Sequence, residues 1–435
     1  MPHLTDHLYP KRTGSATIGI YRRALQLLPV TLAVVLGPLI AVVYRQTQPI
    51  DAPTGSLSAG QVIRGLFWVL MLLSLVFSRR LHLLAHRLVR PLLFLAAYAV
   101  VTAFIRPYPY QQLVFAVKMA FLTVVFVSAL HLAKEGHIRE RWLTTCAWLV
   151  LLITATCISI GLITGRTADR YKTRYATAGL MNHVGTTSAF ALSTLPVFLR
   201  GIATSPSALA GVAILYASLF FTMRRSALIA AAVATACSFL IYLSPFEGRI
   251  PWRRTLGMLA VLLVLLGIGL NTPAGADLMA RFRELKPSEG TGSGRYIFWR
   301  ISLEHVLDRA IHAQLWGEGV GCIRDLMKER YGLAIPSHND ALDLVNAFGW
   351  CGLIGIGWWY CELARFARRL YRRHDGLFQG ACASVIILGL ISLGTGGSFE
   401  PPWAFSYAAM GFWAGRAAEA SPRCWMRDEE PIRET

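Results

Sequence analysis

Apolar runs of membrane-spanning length recur along the whole of this chain, and they leave room for few folds. A helix needs roughly 20 mostly apolar residues to cross a hydrocarbon layer. Twelve segments approach that scale, near 24–43, 62–77, 89–105, 112–132, 142–163, 184–199, 207–222, 226–244, 254–270, 341–361, 377–394 and 401–416. Backbone groups in lipid must be satisfied within the segment, so these runs are read as helices. The expected fold class is an all-α integral membrane protein of about twelve transmembrane helices, forming a single membrane domain. Helices one to nine fall in 1–270, a long outer loop in 271–340, and helices ten to twelve with a tail in 341–435.

Composition enters where charge has to be explained. Only 15% of the 435 residues are charged, against about 25% in soluble domains. The formal charge of +19 would suit a nucleic-acid binder, but the basic residues lie between the apolar runs. That placement instead suits loops facing the cytoplasm and anionic lipid or phosphate, with no nucleic acid as partner. The polar stretch Met1 to Arg23 is too long, and the apolar run after it too extended, for a cleaved signal, so that run is read as an uncleaved first span. Cysteines fall mostly in or beside apolar helices, with Cys322 in the long loop, and outline no disulfide framework.

Orientation follows from the short basic loops. Arg79, Arg80, Arg87 and Arg90; Lys134, Arg139 and Arg141; Arg249, Arg253 and Arg254; and Arg365, Arg368, Arg369, Arg372 and Arg373 share one side if the count is twelve. Both termini are then cytoplasmic and the long loop lies outside. Three basic groups fall on the outer side against that bias: Arg166, Arg170, Lys172 and Arg174; Arg224 and Arg225; and Arg281, Arg283, Lys286, Arg295 and Arg300. Snorkelling to lipid headgroups accounts for single arginines. Three clusters around one loop point instead to an anionic substrate at the outer face.

The long loop closes on Pro336-Ser337-His338-Asn339-Asp340. Ser337 three residues ahead of Asp340 is a capping-box spacing, with Ser337 as N-cap and His338 in the first turn. Such a position favours a neutral imidazole able to accept a proton. Upstream, Gly294-Arg295 leads into an amphipathic stretch from Tyr296 to Ala313, with Arg300, Glu304, Asp308 and Arg309 on its polar side. The run Gly317-Glu318-Gly319-Val320-Gly321 lacks the Gly-Lys-Ser/Thr ending of a nucleotide loop and is read as a tight turn. Gly349, Gly352, Gly355 and Gly357 are read as close-packing positions.

Taken together, Arg224-Arg225-Ser226 opening a helix, Gly294-Arg295 with Trp299, the glycine turn, and His338-Asn339 before a glycine-rich span resemble the O-antigen ligases. These belong with O-antigen polymerases and pilin oligosaccharyltransferases. The resemblance covers about Gly179 to Gly357; the first four spans match in hydropathy alone. It implies a GT-C-type glycosyltransferase of the bacterial inner membrane, with its site facing the periplasm. The donor would be a glycan on undecaprenyl diphosphate, the acceptor lipid A–core, and the transfer inverting, with neither metal nor cofactor. His338, Arg225 and Arg295 match the family's essential residues, and Glu400 is the nearest match to its acidic residue. Asn182, beside His183, falls in an Asn-containing patch. Arg224, Arg174, Arg170, Arg300 and Asn339 join as candidate substrate-binding residues. Polymerisation is a same-class alternative, and a lipid-linked glycan transporter a different one.

Overall fold

A computed structural model describes residues 26–47, 59–166, 175–181, 183–202, 205–243, 267–283, 295–332, 334–371 and 377–420, with 257, 260 and 264. In chain order the helices are α1 (Gln26–Val35), α2 (Gly37–Thr47), α3 (Ala59–Phe77), α4 (Arg90–Ala103), α5 (Pro109–Lys134), α6 (Glu140–Ile163), α7 (Val184–Gly201), α8 (Pro206–Thr222) and α9 (Arg225–Leu243). The long loop contributes α10 (Pro273–Arg283), α11 (Arg295–Asp308), α12 (Ile311–Trp316) and α13 (Cys322–Tyr331). Then come α14 (Asp340–Tyr371), α15 (Leu377–Gly394) and α16 (Ala404–Ala420), the last preceded by a 3-10 turn at Pro401–Trp403. Among the described residues there is no strand, and the fold is all-α.

Four of these helices, α5, α6, α14 and α15, are long and apolar enough to cross a membrane. Others present apolar faces to the outside. On α3, Val62, Leu66, Val69, Leu73 and Phe77 are all exposed at helical spacing. A stripe of that length is unsuited to water and suits lipid, as expected of a membrane-embedded protein. The helix ends follow local chemistry. Pro109 and Pro206 occupy first turns, where their missing N–H costs nothing. Gly332 closes α13 in the left-handed conformation at φ 70°.

The centre of the bundle is α16 packed on α5. A Cβ at Gly411 would sit 2.2 Å from the Phe126 carbonyl oxygen, and one at Gly415 2.5 Å from that of Leu130. These two glycines, four apart, bring the backbones into contact. The contacts advance together, so α5 and α16 run parallel. By contrast α9 and α15 run antiparallel, with Gln379 Nε2 donating to the Ser238 carbonyl at 3.4 Å.

The helix α14 departs from the expectation of a straight, close-packed span. At Gly349 the backbone takes φ 62° and ψ −146°, a region nearly reserved for glycine. The two halves fold sharply, so that a Cβ at Gly352 would meet the Leu344 carbonyl at 2.1 Å. Gly349 is thus the break, Gly352 lets the halves approach, Gly355 packs on Leu95, and Gly357 has no neighbour within 4 Å. The packing reading holds for two of the four glycines.

A broken helix leaves carbonyls without their usual donors. Here the loop supplies them. Arg309 donates to the carbonyls of Asn346 at 3.0 Å and Val345 at 3.2 Å. The glycine turn adds Glu318 N to Asn346 O at 3.1 Å and Gly319 N to Ala347 O at 2.9 Å. Gly317, Gly319 and Gly321 all have positive φ, as a tight turn requires. The amphipathic stretch is correspondingly two helices, α11 and α12, and the expectation for Arg309 is corrected. Its side chain is 5% exposed, because its donors are needed inside.

Candidate functional site

One end of the bundle gathers most of the residues singled out by sequence. From the Gln379–Ser238 contact, Arg225 and Gly394 each lie 13 to 15 residues along antiparallel helices, or about 20 Å at 1.5 Å per residue. The α9 start and the α15 end are therefore level. Arg224 reaches across to the first turn of α7, where Nη1 donates to Ser188 Oγ at 3.2 Å. His183 caps that helix, its Nδ1 accepting from Gly185 N at 3.0 Å.

Arg225 donates a guanidinium N–H to the carbonyl of Arg281 near the end of α10, and Arg281 returns a donor to Met223 O at 3.0 Å. The Met223-Arg224-Arg225 corner is in this way laced to the long loop. Met223 takes φ 52°, the left-handed geometry of the turn.

Around His338 the construction is tighter. Arg295, the first residue of α11, donates to Gly394 O at 2.8 Å, and Asn339 Nδ2 donates to Leu393 O at 2.9 Å. Two successive carbonyls at the end of α15 thus hold the start of α11 and the corner before α14 side by side. The capping expectation is corrected. The N-cap of α14 is Asn339, whose Oδ1 accepts from Leu342 N at 3.1 Å. Ser337 is buried and its hydroxyl accepts from Asn339 N at 3.2 Å. His338 precedes the helix instead of lying in its first turn, with φ 63°. The Phe298 ring of α11 stands beside its imidazole, centroids 6.4 Å apart.

Asp340 does not complete a box with Ser337. Its carboxylate accepts from Gly397 N at 2.5 Å, Ser398 N at 3.0 Å and Ser398 Oγ at 2.5 Å, fastening the 396–398 turn under the His338 corner. Asp343 reaches back to Ser337 N at 3.0 Å. The capping-box spacing accounts for Asp340 alone, and nothing in the sequence reading singles out Asp343. Their signal was there, in two aspartates three apart behind the histidine. The partners of Asp340 lie 57 and 58 positions away, while that of Asp343 is six residues back.

Glu400 follows that turn and pairs with Lys118 of α5 at 2.7 Å. Partial burial pushes its carboxyl up, but the Lys118 charge and hydrogen bond, with Arg64 and Arg324, hold it below the ordinary range. Glu400 is thus a carboxylate at the edge of the same corner. Lys118, within an apolar helix, is the feature that sequence reading passed over. Arg300 goes elsewhere: it pairs with Glu304 at 2.7 Å on the exposed face of α11, its side chain 68% exposed. Arg170, Arg174 and Asn182 lie outside the described residues.

Cys322 of α13 is buried, and that burial pushes its thiol up to about 12, so it is an inert packing residue. The seven described cysteines are all free. Among the described residues, no three His, Cys, Asp or Glu side chains gather as metal ligands would. The chemical assets of this end are the anchored guanidiniums of Arg224, Arg225 and Arg295, a histidine on a strained corner, and carboxylates that brace it. No protein-family model and no curated protein sequence matches the chain.

Proposed function

We propose that this chain is an O-antigen ligase, moving a glycan from undecaprenyl diphosphate to lipid A–core at the outer edge of the bacterial inner membrane. The observation that carries the reading is the pair of bonds from Arg295 and Asn339 to the carbonyls of Gly394 and Leu393. They hold an arginine and a histidine corner together at the end of the bundle where Arg225 also lies. In this reading twelve spans cross the membrane, both termini are cytoplasmic, and the GT-C architecture presents this end to the periplasm. The gathering of Arg224, Arg225 and Arg295 at one end supports it. Arg80 with Glu135, Arg200 with Glu140, and Arg365 with Glu362 pair at the opposite end.

The reaction follows from the residues. The diphosphate sits against Arg225 and Arg295, whose planar forks suit its oxygens. Each guanidinium is oriented beforehand by a backbone carbonyl, so little reorganisation accompanies the charge that grows on the leaving phosphate. The acceptor hydroxyl attacks the anomeric carbon from the opposite face. Its oxygen–carbon bond forms as the carbon–phosphate-oxygen bond breaks, with inversion, and undecaprenyl diphosphate departs. His338 takes the hydroxyl proton or orients the hydroxyl. Diphosphate leaves readily, so the scheme calls on no general acid.

A transporter reading draws on the broken helix, since discontinuous helices line the sites of many transporters. In those sites the freed backbone faces a ligand cavity. Here Arg309, Glu318 and Gly319 occupy the carbonyls of 345–347, which favours a brace for the loop. Polymerisation differs from ligation only in acceptor. Purified protein given carrier-linked glycan with and without lipid A–core separates these: ligation yields product only when lipid A–core is present. Chain growth on the carrier alone would make it a polymerase, and movement without a new bond a transporter.

A further inference from the structure

At the end of the bundle away from His338, a cavity of about 220 Å³ is lined by Arg87, Arg90, Trp358 and Glu362. It lies where α4 and α14 pass antiparallel, Gly355 against Leu95 and Trp358 against Phe94. The transfer proposed above makes no use of it. The space is small for a sugar chain and of a size for a headgroup.

Its charges are mixed, and that limits the occupant. The Glu362 side chain is 6% exposed, and Oε1 accepts from Arg365 Nη1 at 2.6 Å. The other oxygen, Oε2, is buried and has no donor among the described residues. A buried carboxylate oxygen without a donor is costly to leave unmatched. Arg87 and Arg90 line the same cavity. Close by, burial lowers the His86 imidazole to about 3, and Arg369, Arg90 and Arg87 press it in the same direction, so this wall is strongly positive.

A free phosphate would suit the arginines but meet the Glu362 charge. A bare cation would suit Glu362 but meet the arginines. A ligand with phosphate at one end and ammonium at the other satisfies both. An ammonium that carries N–H groups can donate to the Glu362 carboxylate, which a quaternary choline cannot, and Trp358 lines the same space. The surface running from the cavity is apolar, with Val100 and Val101 of α4 and Trp350, Leu353 and Ile354 of α14 exposed. Acyl chains have a surface to follow.

We infer that this cavity binds the phosphoethanolamine headgroup of a membrane phospholipid, with phosphate on Arg87 and Arg90 and ammonium on Glu362. The test is native mass spectrometry of the full chain, purified from nanodiscs holding equal phosphatidylethanolamine, phosphatidylglycerol and phosphatidylcholine. Phosphatidylethanolamine should be retained in preference to both others. Glu362→Gln, which keeps the shape and removes the charge, should lower that retention about tenfold with thermal unfolding unchanged. Arg90→Ala should do the same, and decides the matter if the first variant fails to accumulate. Glycerophosphoethanolamine at matched concentration should displace less than half of the bound lipid. Equal retention of the three lipids, or retention unaltered by either variant, overturns the site. Complete displacement by the soluble compound overturns its membrane source.

Discussion

His338 holds a backbone conformation that a histidine enters at a cost. Its φ of 63° lies in the left-handed region, where a side chain crowds its own carbonyl. Such strain survives only where neighbours enforce it, and Asn339, Ser337 and Asp340 do so through the bonds described. Glycine relieves the strain while removing the imidazole. His338→Gly is therefore expected to unfold at or above the wild-type temperature in detergent, yet to lose ligation. A variant that kept its activity would remove the histidine from the chemistry. A second histidine makes a different prediction. Burial lowers His86 from 6.5 to about 3, with help from Arg369, Arg90 and Arg87. The folded state then declines a proton that the unfolded state accepts, so stability present above pH 6.5 is lost as pH falls toward 3. Comparing thermal unfolding of wild type and His86→Asn at pH 7.5 and pH 5 should show a smaller pH-induced drop in the variant. Equal drops would contradict the buried neutral imidazole.

At the scale of elements, the decisive piece is the fold in α14. Gly349 combines a backbone geometry open to glycine with no room for a Cβ, which would meet Gln314 O and Leu315 O at 2.4 Å each. Gly349→Ala should destabilise the protein by more than about 3 kcal/mol, while Gly357→Ala, with no neighbour within 4 Å, should be nearly neutral. Detergent unfolding of the two separates a hinge from a packing stripe. Sequence alone could not tell them apart, because four glycines in an apolar run look alike until the loop that fills the break is placed. The same holds for Asp340. Its spacing from Ser337 read as a cap, yet its true partners, Gly397 and Ser398, lie beyond two helices. Asp340→Ala leaves two buried donors of Ser398 and a partly buried one of Gly397 unmatched, a loss of roughly 3 kcal/mol or more. Amide exchange in 395–400 should rise in that variant, and unchanged protection there would contradict the fastening role.

On the scale of the whole molecule, helices among the described residues coincide with most of the apolar runs, because periodicity and length are local properties; four of them are long and apolar enough to cross a membrane, the first run divides into α1 and α2, and most of 254–270 lies outside the described residues. The loop helices were legible only in part. The glycine turn was readable, but the division between α11 and α12 was not, since it depends on Arg309 turning inward to the broken α14. The site was legible as a set of residue types at one end, and its connections were not, since each joins positions far apart in the chain. What the assembled bundle adds is placement: one end holds Arg224, Arg225, Arg295 and His338, and the other holds the mixed-charge cavity. The central claim is that the first end performs glycosyl transfer. The most direct measurement is single-turnover ligation by purified wild type and His338→Ala, with carrier-linked glycan and lipid A–core both supplied in excess. The account predicts glycan-bearing lipid A–core from the wild type and a loss of at least about a thousandfold in the variant, at equal thermal stability. Ligation by His338→Ala at the wild-type rate would contradict it.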